Sequence, residues 1–184
     1  MKRLFLIAAA AAIPLAVAEP ASAEWYGAVS IGQADSEIEG VGVDEGLSYG
    51  AALGTSWGPL RLEAGVDRIS GDLNLGYIAI DTSALDYSLA AYVDLPLGDN
   101  ASLFAGASVD YVGGQAEILT EQIDASGQGY SWMIGGAYRL NDRMIAEVQW
   151  RQLTADLDAE YDGYDLGEVE LVSNIATVGL RLEL

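Results

Sequence analysis

Eight times along this chain, a segment of about ten residues alternates apolar and polar side chains, and no helical periodicity of comparable length competes with it. The stretch LRLEAGVDRI shows the pattern: Leu60, Leu62, Ala64 and Val66 fall on one face, Arg61, Glu63 and Asp67 on the other. Period two is the signature of a β-strand with two unlike faces. The segments lie at about 25–34, 47–57, 60–69, 85–95, 102–112, 130–140, 143–153 and 171–184. Connections between them are by turns long and short: Gly58-Pro59, PLGDN and Asn141-Asp142 are short, whereas SEIEGVGVDEG and the stretches 70–84, 113–129 and 154–170 are long. Ten residues suffice for a tilted strand to cross a bilayer, and an even strand number with short turns at one end is the layout of a membrane barrel. The expected fold is therefore all-β, an eight-stranded antiparallel up-and-down transmembrane β-barrel.

Which face meets lipid follows from the aromatic residues. Trp25, Trp57 and Tyr138 fall near the short turns, and Tyr49, Tyr87, Tyr111 and Tyr130 near the long connections, all in phase with the apolar face. Two such groups are what interfacial girdles require, because an amphipathic ring prefers the headgroup level. A soluble periplasmic ligand-binding barrel would instead keep the apolar face inside, and it stands as a second alternative. With the apolar face turned to lipid, Arg61, Glu63, Asp110, Arg139, Glu147, Arg151 and Arg181 face a lumen only wide enough for its own side chains. Paired there, they form a charged plug. The competing reading of the same residues is a narrow, cation-preferring channel for small solutes.

Charge and composition bound the partners. Met1-Lys2-Arg3, an apolar run to Val17 and Ala21-Ser22-Ala23 have the three-part layout of a secretory signal peptide, with cleavage expected after Ala23 or, alternatively, after Ala18. The expected division is 1–23 signal peptide and 24–184 barrel. Loss of residues 1–23 takes Lys+Arg from 8 to 6 and Asp+Glu from 28 to 27, a net charge of −21 with no Lys left. Nucleic acid and other polyanions are repelled by such a chain. Cys and His are absent, so thiol and Ser-His-Asp chemistry are excluded for these residues. The expectation is no enzyme and no cofactor.

One acidic stretch has partial metal-site spacing. DAEYDGYDLGEVE places Asp158, Glu160, Asp162 and Gly163 at the first, third, fifth and sixth positions of a calcium loop, but Val169 stands at the twelfth, between Glu168 and Glu170. A divalent cation held loosely by Asp158, Glu160 and Asp162 is one reading. A solvated acidic loop is the other.

Taken with its terminal pattern Val178-x-Leu180-x-Leu182-x-Leu184, the chain resembles the small outer-membrane β-barrel superfamily of opacity-protein and OmpA-like barrels. The resemblance covers residues 24–184. It implies an outer-membrane location, contact with outer-membrane lipid and lipopolysaccharide, and recognition of the last strand by the outer-membrane assembly machinery, as a monomer. That family usually ends in an aromatic residue, most often Phe, and the last residue here is Leu184. No periplasmic peptidoglycan-binding domain is expected after the eighth strand. The function implied is a structural or surface-interaction role, opacity- or adhesin-like, through four acidic outer loops.

Overall fold

The computed structural model describes residues 23–38, 41–74, 79–118, 121–161 and 164–184. Eight strands follow in order: β1 (Glu24–Ile38), β2 (Val41–Trp57), β3 (Leu60–Asn74), β4 (Ala79–Pro96), β5 (Ala101–Ile118), β6 (Glu121–Arg139), β7 (Met144–Tyr161) and β8 (Tyr164–Glu183). Each pairs antiparallel with its chain neighbours, and β8 returns to β1, from Tyr26 opposite Glu183 to Ile38 opposite Leu171, to close the barrel. Closure leaves no unpaired edge, which a sheet crossing hydrocarbon cannot tolerate. The expected leader lies, but for Ala23, outside the described residues.

Turn chemistry fixes the register at one end. Gly58 takes a φ of 59°, in the left-handed region, so that Gly58-Pro59 joins Trp57 directly to its cross-strand partner Leu60. At the β6–β7 turn the Asn141 side-chain oxygen accepts from the backbone N–H groups of Arg143 and Met144, 3.0 Å each, and this side-chain loop stands in for ladder bonds.

The strands run 15 to 20 residues, well beyond the ten or so that the alternation suggests. Stretches read as four acidic loops are mostly ladder: Ser36 and Ile38 pair with Ser173 and Leu171, and Asp156 and Asp158 pair with Glu170 and Glu168. The correction has a simple cause. Once two antiparallel strands are in register, continuing the ladder satisfies backbone groups that a loop would leave to water. The asymmetry between the two ends is therefore one of strand extension.

Candidate functional site: a charged lumen beneath an apolar cup

Alternation places the outward residues in a band. Trp25, Trp57 and Tyr138 are exposed near the short turns, and Tyr49, Tyr87, Tyr111 and Tyr130 are exposed farther up, with Tyr87 directly opposite Tyr111. Between the two rings the outside is aliphatic, with Leu53, Leu89, Ile134, Val148 and Val178 all exposed. Polar side-chain groups on this face engage one another: Trp132 Nε1 donates to Gln152 Oε1 at 2.8 Å, and Gln152 Nε2 donates to Asn174 Oδ1 at 3.3 Å.

Inside the band, two ionic tiers fill the lumen. The upper one is centred on Arg151 of β7, 5% exposed, whose guanidinium pairs with Asp86, with Asp110 at 2.7 Å and with Asp67 at 3.2 Å. Arg151 Nε donates to Ser131 Oγ at 2.9 Å, and the Ser131 hydroxyl donates to Asp110 at 2.7 Å, while Ser108 also donates to Asp110. Strands β3 to β7 all contribute. A planar fork with five donors is suited to such a convergence of carboxylates.

The lower tier holds Arg61 and Arg181. Arg61 Nε lies 2.7 Å from Asp94, and Glu147 is shared, 3.5 Å from Arg61 and 3.1 Å from Arg181. Aromatic faces complete the cage: Arg61 sits 4.5 Å from the Tyr92 ring centroid and 5.0 Å from Phe104, and Arg181 sits 5.1 Å from Tyr26. Glu63 accepts from the Tyr26 hydroxyl at 3.1 Å. These rings fit only because small residues face them; a Cβ on Gly54 would strike the Tyr26 ring, and one on Gly135 the Phe104 ring. A polar cavity of about 70 Å³, lined by Glu63, Asp67, Glu147, Gln149 and Arg151 among others, separates the tiers.

Of the charges assigned to the lumen from sequence, Arg61, Glu63, Asp110, Glu147, Arg151 and Arg181 thus converge in these two tiers. Arg139 joins neither. It ends β6 at the short-turn mouth, 39% exposed, and makes a bidentate pair with Glu183 at 2.9 and 3.0 Å. Phase along a strand gives the face a residue occupies but not its depth. Sequence reasoning also missed the aromatic cage of Tyr26, Tyr92 and Phe104, because an inward ring in a strand has no periodic mark of its own.

Glu147 is the hinge of the lower tier. Changing Glu147→Ala removes the carboxylate that Arg61 and Arg181 share, and breaking such a buried pair costs about 3 kcal/mol or more. Urea unfolding in vesicles should show that loss, and Arg181→Met added to it should restore part of the stability.

The metal-loop expectation falls partly outside the described residues, and the two of its carboxylates that are described lie on a strand and not in a loop. Asp158 and Glu160 sit on the outward face of β7, opposite Ser126 and Asp124 of β6, in an extended ladder that holds alternate side chains about 7 Å apart. A calcium loop must instead wrap its ligands around the ion. Asp162 lies outside the described residues, and among the described residues no group of three or more metal-ligating side chains converges.

Above the upper tyrosines the barrel inverts its polarity. Ala34, Ile69, Val112, Leu153, Ala155, Leu157, Leu171 and Ile175 form an interior apolar cluster, while Asp35, Glu37, Asp156, Asp158, Glu168 and Glu170 point outward. Its lowest layer lies one pleat above the Arg151 tier: Ile69 follows Asp67, Ala84 precedes Asp86, Val112 follows Asp110 and Leu153 follows Arg151 by two residues. The signal was present in β7, where apolar residues occupy even positions from Met144 to Trp150 and odd positions from Leu153 onward.

A closed eight-strand barrel with two aromatic rings, a lipid-facing belt and a charged interior defines an integral membrane β-barrel. The chain belongs to the outer membrane protein beta-barrel domain family, whose pattern it matches over residues 4–181, and this membership implies an outer-membrane location. No curated protein matches it in sequence. Among solved structures it is similar to Neisserial surface protein A, at 14% identity and a TM-score of 0.72, covering 87% of this chain and 97% of that one. It is also similar to Ail, the attachment invasion locus protein of Yersinia pestis, solved with the heparin analogue sucrose octasulfate, at 13% identity and a TM-score of 0.52, covering 86% and 99%. The outer membrane protein OprG from Pseudomonas aeruginosa gives 13% identity and a TM-score of 0.52, covering 90% and 97%. At these identities the likeness is one of fold.

Proposed function

We propose that this is a sealed surface barrel that acts through the acidic outer face of its extended strands and not through its lumen, in a structural or surface-interaction role. The observation that carries this reading is the pair of ionic tiers, which ties β3, β4, β5, β7 and β8 together across the lumen where a pore would have to pass. In this reading a leader at 1–23 is removed on export, the short turns lie in the periplasm and the extended end stands outside the cell. Asp35, Glu37, Asp156, Asp158, Glu160 and Glu170 then face the medium together with Arg68. Such a surface attracts a basic partner directly, and lipopolysaccharide phosphates only through bridging divalent cations. The Ail structure carries a polyanion. Here the sign of the charge selects the opposite class of partner.

Poly-lysine binding to the barrel in zwitterionic nanodiscs tests the proposal. Binding should vanish at about 0.5 M salt, where exposed charges are screened, and should weaken several-fold in the Asp156→Asn, Asp158→Asn, Glu160→Gln triple variant. Heparin should not bind. Heparin binding without poly-lysine binding would overturn the reading.

A second reading, the narrow cation-preferring channel, draws on the composition of the tiers. Glu63, Asp67, Asp86, Asp94, Asp110 and Glu147 face Arg61, Arg151 and Arg181, so a lumen that opened would favour cations.

A further inference from the structure

The inverted cup lines a partly open cavity of about 320 Å³, within the range of small-molecule sites. Its inward wall is formed by Ile69, Ala84, Ala125, Leu157, Val169 and Leu171. We propose that this cavity is a binding site for a small, neutral, apolar molecule.

Four observations select that occupant. First, the cavity lies inside the closed barrel, where β1 pairs with β8 up to Ile38 and Leu171 and with β2 up to Ile38 and Val41, while the β2–β3 ladder stops lower, at Leu47 opposite Ser70; an interior space of this size suits a small molecule and not a polypeptide. Second, hydroxyls in the wall are already paired within it: Ser36 and Ser173 lie 2.8 Å apart, and Thr82 donates to the Gly71 carbonyl at 2.7 Å. A polar ligand would gain little from them and would lose its water. Third, the charged floor is closed to an anion, because the Arg151 guanidinium is engaged by three carboxylates and Ser131. Fourth, the surrounding outer face is acidic, so an anionic amphiphile would be repelled as it approached. Dispersion and the removal of apolar surface from water remain as the forces that hold a ligand, and an apolar cavity of smaller size binds benzene on that basis.

The site is independent of the surface-interaction reading, and its test does not depend on the acidic partner. Naphthalene serves as probe, with 2-naphthoate as its charged counterpart. Methyl-labelled protein in nanodiscs is titrated while the signals of Ile69, Leu157 and Leu171 are followed, with lipid-facing Leu53 and Leu89 reporting partition into the bilayer. Saturable shifts are expected for the cavity methyls alone, with 2-naphthoate at least tenfold weaker. Ala125→Trp, which fills the space, should abolish saturation, and Leu171→Gln, similar in size but polar, should weaken it at least fivefold; heat-shift on a gel establishes that each variant is folded. Parallel, non-saturating shifts at cavity and lipid-facing methyls would overturn the proposal. Equal affinity for 2-naphthoate would overturn the selection for a neutral ligand.

Discussion

Replacing Arg151 with Met should cost the barrel about 3–5 kcal/mol, the loss expected when one member of a buried ionic cluster is removed and its partners stay behind. The reason is the company it keeps. Asp67, Asp86 and Asp110 would face one another without the guanidinium that joins them, and Ser131 would lose the donor that orients its proton toward Asp110. Met fills similar space, so the effect is electrostatic and not a cavity. Equilibrium urea unfolding in lipid vesicles, followed by tryptophan fluorescence, measures it. Adding Asp86→Asn and Asp110→Asn to Arg151→Met should recover a substantial part of the loss, since neutral amides need no counter-charge. If Arg151→Met alone left stability unchanged, the tier would not be a structural element of the fold.

The second large effect lies on the opposite face. Ile134 stands midway between Tyr130 and Tyr138 on β6, half exposed and directly opposite Trp150. The two tyrosines are eight positions apart, about 27 Å along the strand, or about 20 Å of height at a tilt of about 40°, which places Ile134 well inside an apolar band about 25 Å tall. Ile134→Arg should therefore destabilise the barrel by about 2–4 kcal/mol, as a cation at the bilayer midplane does. The same substitution at Gln128, above the upper tyrosine on the same strand, should be close to neutral. Equal costs at the two positions would contradict the placement of the membrane. A negligible cost at Ile134 would mean that this face is not in lipid.

Much of this architecture is legible in the sequence because it rests on period two. A strand states its faces residue by residue, so LRLEAGVDRI assigns Arg61, Glu63 and Asp67 to one side before any partner is known. What it does not state is height. Arg139 shares its phase with inward residues of β6, yet it sits at the mouth beside Glu183, because the stagger between strands decides which charges meet. The pairing of Arg151 with Asp67, Asp86 and Asp110 draws on four strands and cannot be read from any one of them. Acidic stretches obscured the rest. Asp156, Asp158 and Glu160 look like a solvated loop by composition, although Leu153, Ala155, Leu157 and Ala159 alternate with them without a break. The alternation had not ended there; it had changed phase, because the medium outside the wall changed from hydrocarbon to water.

The same physics explains why one chain carries two kinds of barrel. Within the membrane the outside is apolar by necessity, and the charges must find each other in the lumen. Beyond the upper tyrosines the outside is wet, and the ordinary soluble arrangement returns, with aliphatic residues in and acids out. The Arg151 tier marks the boundary.

The claim that the tiers seal the lumen is met most directly by single-channel recording of the refolded protein in a planar bilayer, once a gel shift on heating shows that it is folded. The account predicts a silent barrel, with current appearing only when both tiers are broken together, by Glu147→Ala combined with Arg151→Met. Steady cation-selective steps from the unaltered protein would contradict it and make transport through the lumen the leading function.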